Sequence, residues 1–184
     1  MKATDVRKGH VIRYQGKICR VMSSVHHTPG NLRAMMQVEM KDIEKGTNYN
    51  NRFRADDDVE KLDVDYAKME YLYQENEFYV FMNSETYEQT HLNADMIKDL
   101  MGYVLPNTQI EVAFVDGRPI TVEIPQKVVL KVVETEPGIK NATATNVMKP
   151  AKLETGITVG VPPFVNSGDS IIVNTESGEY VSRA

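Results

Sequence analysis

The first third of the chain alternates apolar and polar residues with a period of two. The pattern runs through VIRYQGKICRVMSSV at residues 11–25, where Gly16 separates two runs, and through AMMQVEMKDIEKG at residues 34–46. Because successive side chains of a β-strand point to opposite faces, this period predicts strands rather than helices. The first stretch therefore predicts a strand, a tight turn at Gly16 and a second strand, and the next stretch predicts a third.

Strand-like runs continue to the end of the chain. DGRP at 116–119 and ESG at 176–178 have the composition of hairpin turns. NADMIKDLMGYV, residues 93–104, has apolar residues at helical spacing and predicts one helix with Asn93 as its N-cap. The other predicted strands lie in TNYNNRFRA, EFYVFMN, QIEVAFVDGRPITVEI, KVVLKVVETE, ITVGVPPF and DSIIVNTESGEYVSR.

This density of strands predicts an all-β fold. Strands roughly 8–12 residues apart are typical of small barrels or sandwiches, and one barrel of about 60 residues needs roughly five of them. The strand count then supports three small β-barrel domains, with junctions in the acidic stretch ADDDVEKLDVDY and in IPQKVVL. We therefore place the domains at 1–64, 65–128 and 129–184. Each would bury little surface alone, so we expect them to pack against one another.

Composition narrows the class of protein. The chain has 184 residues, a formal net charge of −5 and a single cysteine, Cys19, which rules out an internal disulfide bond and fits a reducing compartment. No run of about 18 apolar residues is present that would cross a membrane. The first residues lack the apolar segment of a secretory signal. These features predict a cytoplasmic protein with no membrane partner.

The net charge conceals an uneven distribution. Residues 1–55 carry eleven Lys and Arg against four Asp and Glu, a balance of +7, whereas residues 56–128 carry five against sixteen, a balance of −11. Residues 129–184 carry five against six. A basic first third on an acidic chain indicates a polyanionic partner that meets one end only. The alternative is that the bases are scattered over both faces and have no collective effect.

The stretch VHHTPGNLRAMM, residues 25–36, predicts a hairpin tip of unusual composition. It has strong turn residues but no acid, although a tip exposed to water is normally rich in acids, Ser and Lys. Arg33 could meet phosphate or sugar oxygens, Asn31 could hydrogen-bond, and Leu32 could contact bases or a groove wall. The candidate RNA-binding residues at the tip are Pro29, Gly30, Asn31, Leu32 and Arg33.

Metal and catalytic chemistry find little support in the sequence. His26 and His27 would point to opposite faces of a strand, so they cannot form a metal site together, and they could be ordinary strand residues. ADDDVEK at 55–61 lacks the glycine and the terminal glutamate of a calcium loop. No nucleophile–base order, P-loop or nucleotide fingerprint is present. We therefore expect a protein that is not an enzyme and has no cofactor or metal.

Several motifs resemble a known family. They are RKGHVIRYQGKICRV near the start, YVFMNSETYEQ at 79–89, ETEPGIKNATAT with KPAKLETG within 134–156, and VPPFVNSGDSIIVNTESGEYVSR to the end. Over essentially its full length the chain resembles bacterial elongation factor P, a family related to the hypusine-bearing translation factor of archaea and eukaryotes. The resemblance implies an SH3/KOW-like barrel followed by two OB-fold barrels in an L shape.

The resemblance also implies a function. Members of this family bind the 70S ribosome between the peptidyl-tRNA (P) site and the exit (E) site, and they stimulate peptide-bond formation at stalls such as consecutive prolines. The first-domain hairpin would lie beside the acceptor end of peptidyl-tRNA. The third domain would approach rRNA and tRNA, so that Tyr180 could stack and Arg183 could bind phosphate; alternatively, Tyr180 is an ordinary cross-strand aromatic. A monomer is expected.

The tip departs from the common family loop. Many members carry KPGKG, whose second lysine is modified, whereas this chain has TPGNL and places Asn31 at that position. No lysine-type modification is expected there, and Arg33 lies two residues beyond the position of a modified arginine in another branch. We therefore expect an unmodified tip. Two other functions stay open, a ribosome-independent KOW/OB RNA-binding protein and a specialised paralogue of the family, and an enzyme of unknown reaction is the most distant alternative.

Overall fold

The computed structural model describes residues 1–31, 33–138 and 147–184. The fold is almost entirely β, with three antiparallel sheets that follow one another along the chain. The first sheet has the order β4-β3-β2-β1-β5. Its strands are β1 (Val11–Tyr14), β2 (Lys17–His27), β3 (Met35–Asp42), β4 (Asn48–Arg54) and β5 (Glu60–Leu62). A short 3-10 helix, Ala3–Asp5, precedes it.

The second sheet has the order β10-β9-β6-β7-β8. Its strands are β6 (Asp65–Glu75), β7 (Phe78–Asn83), β8 (Gln89–Asn93), β9 (Gln109–Val115) and β10 (Arg118–Glu123). The third sheet has the order β13-β12-β11-β14-β15. Its strands are β11 (Lys127–Thr135), β12 (Lys149–Leu153), β13 (Thr158–Val161), β14 (Ser170–Asn174) and β15 (Tyr180–Arg183). Three β-sheet domains were predicted from the strand pattern, and this is confirmed; they are called the first, second and third domain below.

The tight turns form where the sequence predicts them. Gln15 and Gly16 join β1 to β2 with φ of 50° and 77°, and Asp116 and Gly117 join β9 to β10 with φ of 50° and 74°. A two-residue turn with positive φ at both positions matches the right-handed twist of the strands that it connects. The pairing of β1 with β2 then runs in one register from Tyr14 opposite Lys17, whereas β9 and β10 change register at a bulge between Pro119 and Thr121.

The predicted helix is present but shorter than expected. Helix α1 spans Ala94–Met101, and the Asn93 side chain accepts a hydrogen bond of 2.9 Å from the Asp95 backbone N–H. This bond satisfies one of the free N–H groups at the helix start. Gly102 ends the helix. The residues after it, predicted as helical, instead form a turn, in which Val104 packs in the core of the second domain and Tyr103 packs against the core of the third.

The first and second domains pack through an apolar seam. One buried cluster joins Val11, Ile43 and Leu62 of the first domain to Ala113, Val115 and Ile120 of the second. At the rim, Arg20 Nη2 lies 3.0 Å from Glu123 Oε1, and Arg118 Nη1 lies 3.4 Å from Glu44 Oε1. Exposed ion pairs contribute little on their own, so burial of the apolar centre provides most of the stability of this seam. The expected packing between domains is therefore present here.

Within the described ranges, no helix is both long and apolar enough to cross a bilayer.

Cys19 lies on the core face of β2. It is fully buried, and this burial raises the pKa of its thiol to about 11 from 9.0, with the carboxylate of Asp42 acting in the same direction. Because only the thiolate is nucleophilic, a buried thiol with a raised pKa is inert. The same shift makes the unfolded chain ionise first, so the free energy of unfolding falls as the pH rises from 9.0 toward 11.

We therefore predict that iodoacetamide leaves Cys19 unmodified in the native protein at mildly alkaline pH and alkylates it fully in concentrated guanidinium chloride, as read by intact mass. Thr86→Cys places a second thiol at an exposed position and serves as the control that reacts under native conditions. Native alkylation of Cys19 at the rate of the control would contradict the burial of the β2 core face.

Candidate functional site

The β2–β3 hairpin extends beyond the core of its own domain. The two strands pair from Cys19 opposite Asp42 to His27 opposite Met35. At the base Cys19 is fully buried, whereas Val25 is 58% exposed and both His26 and His27 are exposed. In the outer half of the hairpin, β2 is therefore held by its backbone ladder to β3, and the apolar burial there comes from Val38 and Met36 of β3.

A β-bulge changes which residues of β2 point toward the core. Val21 pairs with Met40 and Ser23 pairs with Glu39, so Met22 is an extra residue without a partner and is 45% exposed. A bulge bends its strand and increases the local twist. Without it, the alternation that buries Val21 would turn the side chain of Val25 toward the core.

Two transverse rows of side chains lie on the outward face beyond the bulge. Directly paired residues share a face, so one row is Val25, Gln37 and Arg52, and the next is His27, Met35 and Arg54. The arginines come from β4, which runs beside β3 as far as the base of the tip. We call these six residues the outward hairpin face.

The outward hairpin face is cationic. In residues 1–31, 33–138 and 147–184, no carboxylate lies within 4.0 Å of the guanidinium nitrogens of Arg52 or Arg54, although Asp57 Oδ2 accepts a hydrogen bond of 2.8 Å from the Arg54 backbone N–H. The acid nearest along β3, Glu39, accepts a hydrogen bond of 2.9 Å from the Ser23 hydroxyl. Arginine forms bidentate hydrogen bonds with phosphate, so these two side chains are suited to an RNA backbone.

The sequence-based assignment missed both arginines. They lie in TNYNNRFRA, which was predicted as a strand without a functional role. The signal was available in its period of two, since Phe53 between them packs against the first core and the flanking residues must then point outward. What the sequence could not supply was the pairing that sets Arg54 beside Met35 and His27.

The tip itself connects His27 to Met35. Gly30 has φ of +51°, as its predicted place in the turn requires, and a Cβ added there would meet nothing within 4 Å. Asn31 and Arg33 are exposed, and Pro29 is half-buried. Leu32, predicted as an apolar contact, lies outside the described residues.

The inward face anchors the hairpin to its domain. Met36 is buried, and Phe53 beside it on β4 packs edge-on against Tyr14 with 6.1 Å between ring centroids. Tyr14 also contacts Tyr49 at 6.1 Å. These contacts hold the inward face of the hairpin against the first core up to the pair of His26 with Met36, so that the tip begins directly beyond them.

The two candidates of the third domain lie apart from the tip in the fold. Tyr180 on β15 is half-buried and packs against the third core. Arg183 is exposed, and its guanidinium carbon lies 5.1 Å from the centroid of the Phe164 ring. This geometry is that of a cation–π contact between the guanidinium and the ring.

Comparison with known proteins gives three family matches in the order of the domains. They are "Elongation factor P (EF-P) KOW-like domain" at residues 2–59, "Elongation factor P (EF-P) OB domain" at 64–122 and "Elongation factor P, C-terminal" at 128–183. The chain belongs to the elongation factor P family. Elongation factor P from Acidobacterium capsulatum is 48% identical over 99% of this chain and 98% of its own. That from Nitrosospira multiformis is 48% identical over 98% and 97%.

A solved structure is similar in fold. "Eukaryotic translation initiation factor 5A from Methanococcus jannaschii" aligns with a TM-score of 0.52 over 67% of this chain and 90% of that chain, at 16% sequence identity. The predicted family, its KOW-like and OB domains and the assignment to translation are therefore confirmed: this elongation factor P is a translation factor.

We predict that Arg54→Ala weakens binding to an RNA hairpin and reduces the slope of log affinity against log salt by about one, because one phosphate contact releases about one counterion. Fluorescence anisotropy across a salt series measures both quantities. Lys45→Ala is the matched control, since it removes one exposed positive charge at the β3–β4 turn, the end of β3 far from the tip. Equal effects of the two variants would show that the outward hairpin face binds RNA no better than any surface cation.

Proposed function

We propose that this elongation factor P binds the 70S ribosome between the P and E sites, places the tip of its β2–β3 hairpin against the acceptor end of peptidyl-tRNA, and stimulates peptide-bond formation at stalls such as consecutive prolines. The observation that carries the proposal is a hairpin whose acid-free tip lies beyond its last buried residue, Met36, and next to the arginines of the outward hairpin face. Membership of the family supports the same reading.

The tip acts by position and not by covalent chemistry. Among the described residues, no cluster of three or more His, Cys, Asp and Glu side chains could hold a metal ion. Proline is a poor acceptor and distorts the nascent chain, so the reacting groups are misaligned. Holding the acceptor end in a reactive pose reduces the entropy lost on reaching the transition state. A tenfold gain needs only about 1.4 kcal/mol, which a few phosphate contacts can provide.

Each residue of the tip makes a different kind of contact with the acceptor end. Arg33 binds phosphate or sugar oxygens, Asn31 hydrogen-bonds at the tip, and Leu32 makes an apolar contact. Pro29 and Gly30 set the backbone, since proline fixes φ and glycine accepts the positive φ of the turn. The tip works without modification, and the chain acts as a monomer. In the third domain, Tyr180 and Arg183 contact RNA away from the reacting centre.

We predict that Arg33→Ala lowers the synthesis of a reporter with consecutive prolines by about tenfold, since the loss of one charge-assisted contact is worth roughly 1.4 kcal/mol. A reconstituted translation system measures full-length product with and without the proline run. Arg33→Lys retains the charge and should keep part of the activity. Wild-type activity in Arg33→Ala would remove this residue from the mechanism.

A second prediction concerns the backbone of the tip. Replacing residues 29–33 by a Gly-Ser linker of equal length removes the conformational restriction and should abolish rescue at proline runs, because a flexible segment loses more entropy on ordering. The linker variant should still co-sediment with ribosomes, because the rest of the chain is unchanged. Full rescue by this variant would contradict the positional mechanism. If the wild-type chain itself did not co-sediment with ribosomes, the alternative function, a ribosome-independent RNA-binding protein, would be favoured.

A further inference from the structure

The joint between the second and third domains is unusually close at one point. Gly102, which ends helix α1, faces Ile157 of the third domain, and a Cβ built on Gly102 would lie 2.8 Å from Ile157 Cγ2. Gly102 has φ of −60° and ψ of −13°, a conformation that any residue adopts. The backbone therefore does not require glycine here. The only requirement is the absence of a side chain between the two domains.

The atom facing Gly102 has little freedom to move. Ile157 is β-branched, so its Cγ2 methyl is fixed by one stiff torsion. Its backbone closes the β12–β13 turn, where its carbonyl accepts a hydrogen bond of 2.8 Å from the Leu153 N–H. Ile157 also packs against the third core. A methyl group at position 102 requires either a new χ1 rotamer of Ile157, which its packing against the third core opposes, or a displacement of one domain from the other.

At a second close approach, the glycine belongs to the third domain and the facing side chain to the second. Gly178, in the β14–β15 turn of the third domain, would place a Cβ 3.1 Å from the hydroxyl oxygen of Tyr103 in the second. Tyr103 and Leu105 pack against the third core. Each domain thus contributes a glycine that admits a side chain of the other, one at Ile157 and one at Tyr103.

The linker between the two domains is tied to the same turn. The Thr175 hydroxyl donates toward Pro125 O at 2.8 Å and Gln126 O at 3.1 Å, and the Thr175 N–H donates to Gln126 O at 2.8 Å. The turn is itself held by Asn174 Oδ1, which accepts from the Glu176 N–H at 2.8 Å. Thr175 therefore holds two consecutive linker carbonyls that a hinge motion would have to release.

We infer that Gly102, Ile157 and Thr175 are positioning residues that set the angle between the second and third domains. Close contact at the two glycines limits tilt in one direction, and the Thr175 hydrogen bonds limit rotation about the linker. The joint is not filled on all sides, because a cavity of about 290 Å³ borders Leu105, Ile124, Pro125 and Val129. A variant that widens the glycine contact therefore has space in which the domains can tilt.

This angle matters if the proposed function is correct. A factor that contacts RNA with a hairpin in its first domain and with Tyr180 and Arg183 in its third must present both surfaces at a fixed separation. A preset angle removes the entropic loss of ordering the joint on binding. The angle then contributes to rescue at stalled ribosomes as much as the contacts at either end.

The decisive variant is Gly102→Ala, with Gly102→Ala/Ile157→Ala as its suppressor. Spin labels at Glu88→Cys in the second domain and Lys152→Cys in the third, both exposed, report the distance between domains by pulsed electron resonance. Buried Cys19 is left unlabelled. Gly102→Ala should shift the distribution of distances between the two spin labels and lower rescue at proline runs several-fold. Thermal unfolding of the isolated variant, measured without ribosomes, should stay cooperative. The double variant should restore both distance and rescue, since Ile157→Ala removes the facing methyl.

The distance and rescue measurements test the steric joint, its role in function and the proposed function separately. An unchanged distance in Gly102→Ala would overturn the steric joint, and a shifted distance with full rescue would overturn its role in function. Failure of the wild-type chain to relieve proline stalls would contradict the proposed function and leave the distance measurement valid.

Thr175 offers an independent test that keeps the core intact. Thr175→Val removes the hydroxyl but retains the backbone hydrogen bond and the shape, so the distance distribution should broaden. Thr175→Ser restores the hydroxyl and should restore the narrow distribution. Equal widths in Thr175→Val and the wild type would show that the linker is fixed without this residue.

Discussion

The backbone ladder of the β2–β3 hairpin is the constraint on which the functional surface depends. Beyond Met22 the side chains of β2 are exposed or half-buried, and the apolar burial of the hairpin comes from β3, through Val38 and Met36. Two-stranded hairpins are marginal in water, but β4 pairs with β3 as far as Met35 opposite Arg54. The third strand therefore completes the ladder up to the base of the tip. The same strand carries the arginines of the outward hairpin face, so one element provides both rigidity and charge.

The two joints between domains use different physics. At the first, an apolar cluster around Ile43 and Ile120 is rimmed by ion pairs such as Arg20 with Glu123, and it resembles a small protein–protein interface. At the second, Tyr103 and Leu105 also pack against the third core, but direct contact at Gly102 and hydrogen bonds from Thr175 add a stricter geometry. Burial of apolar area tolerates small sliding motions, whereas a steric stop does not. The second joint is therefore the one that defines an angle.

The local pattern of the sequence predicts most of the fold. Period-two alternation indicates the strands, Gly16 marks a turn, and Asn93 identifies the start of α1, because each of these signals acts through neighbouring residues. The unpredicted features all involve residues that are distant in sequence. The bulge at Met22 depends on which residue of β3 lies opposite, and the fit of Gly102 to Ile157 depends on two domains. Arg52 and Arg54 have the period-two pattern of a strand face, but only strand pairing brings them to the tip.

The placement of charge explains how an acidic chain can approach RNA. Electrostatic interactions between exposed groups are screened over about 8 Å at physiological salt, so a phosphate near the hairpin scarcely senses most of the −11 of residues 56–128. Asp57 is an exception, because its carboxylate accepts a hydrogen bond of 2.8 Å from the Arg54 backbone N–H. Several bases of the first domain are paired with acids at its edges, as Lys2 is with Asp58 and Arg13 with Glu60. Those on the outward hairpin face are not, within the described part of the chain. The basic first third is thus neither uniformly scattered nor uniformly cationic. Folding pairs four of its eleven bases, Lys2, Lys8, Arg13 and Arg20, with acids and leaves the guanidinium groups of Arg52 and Arg54 without an ion pair beside the hairpin tip. This local arrangement, rather than the net charge, determines where a polyanion can bind.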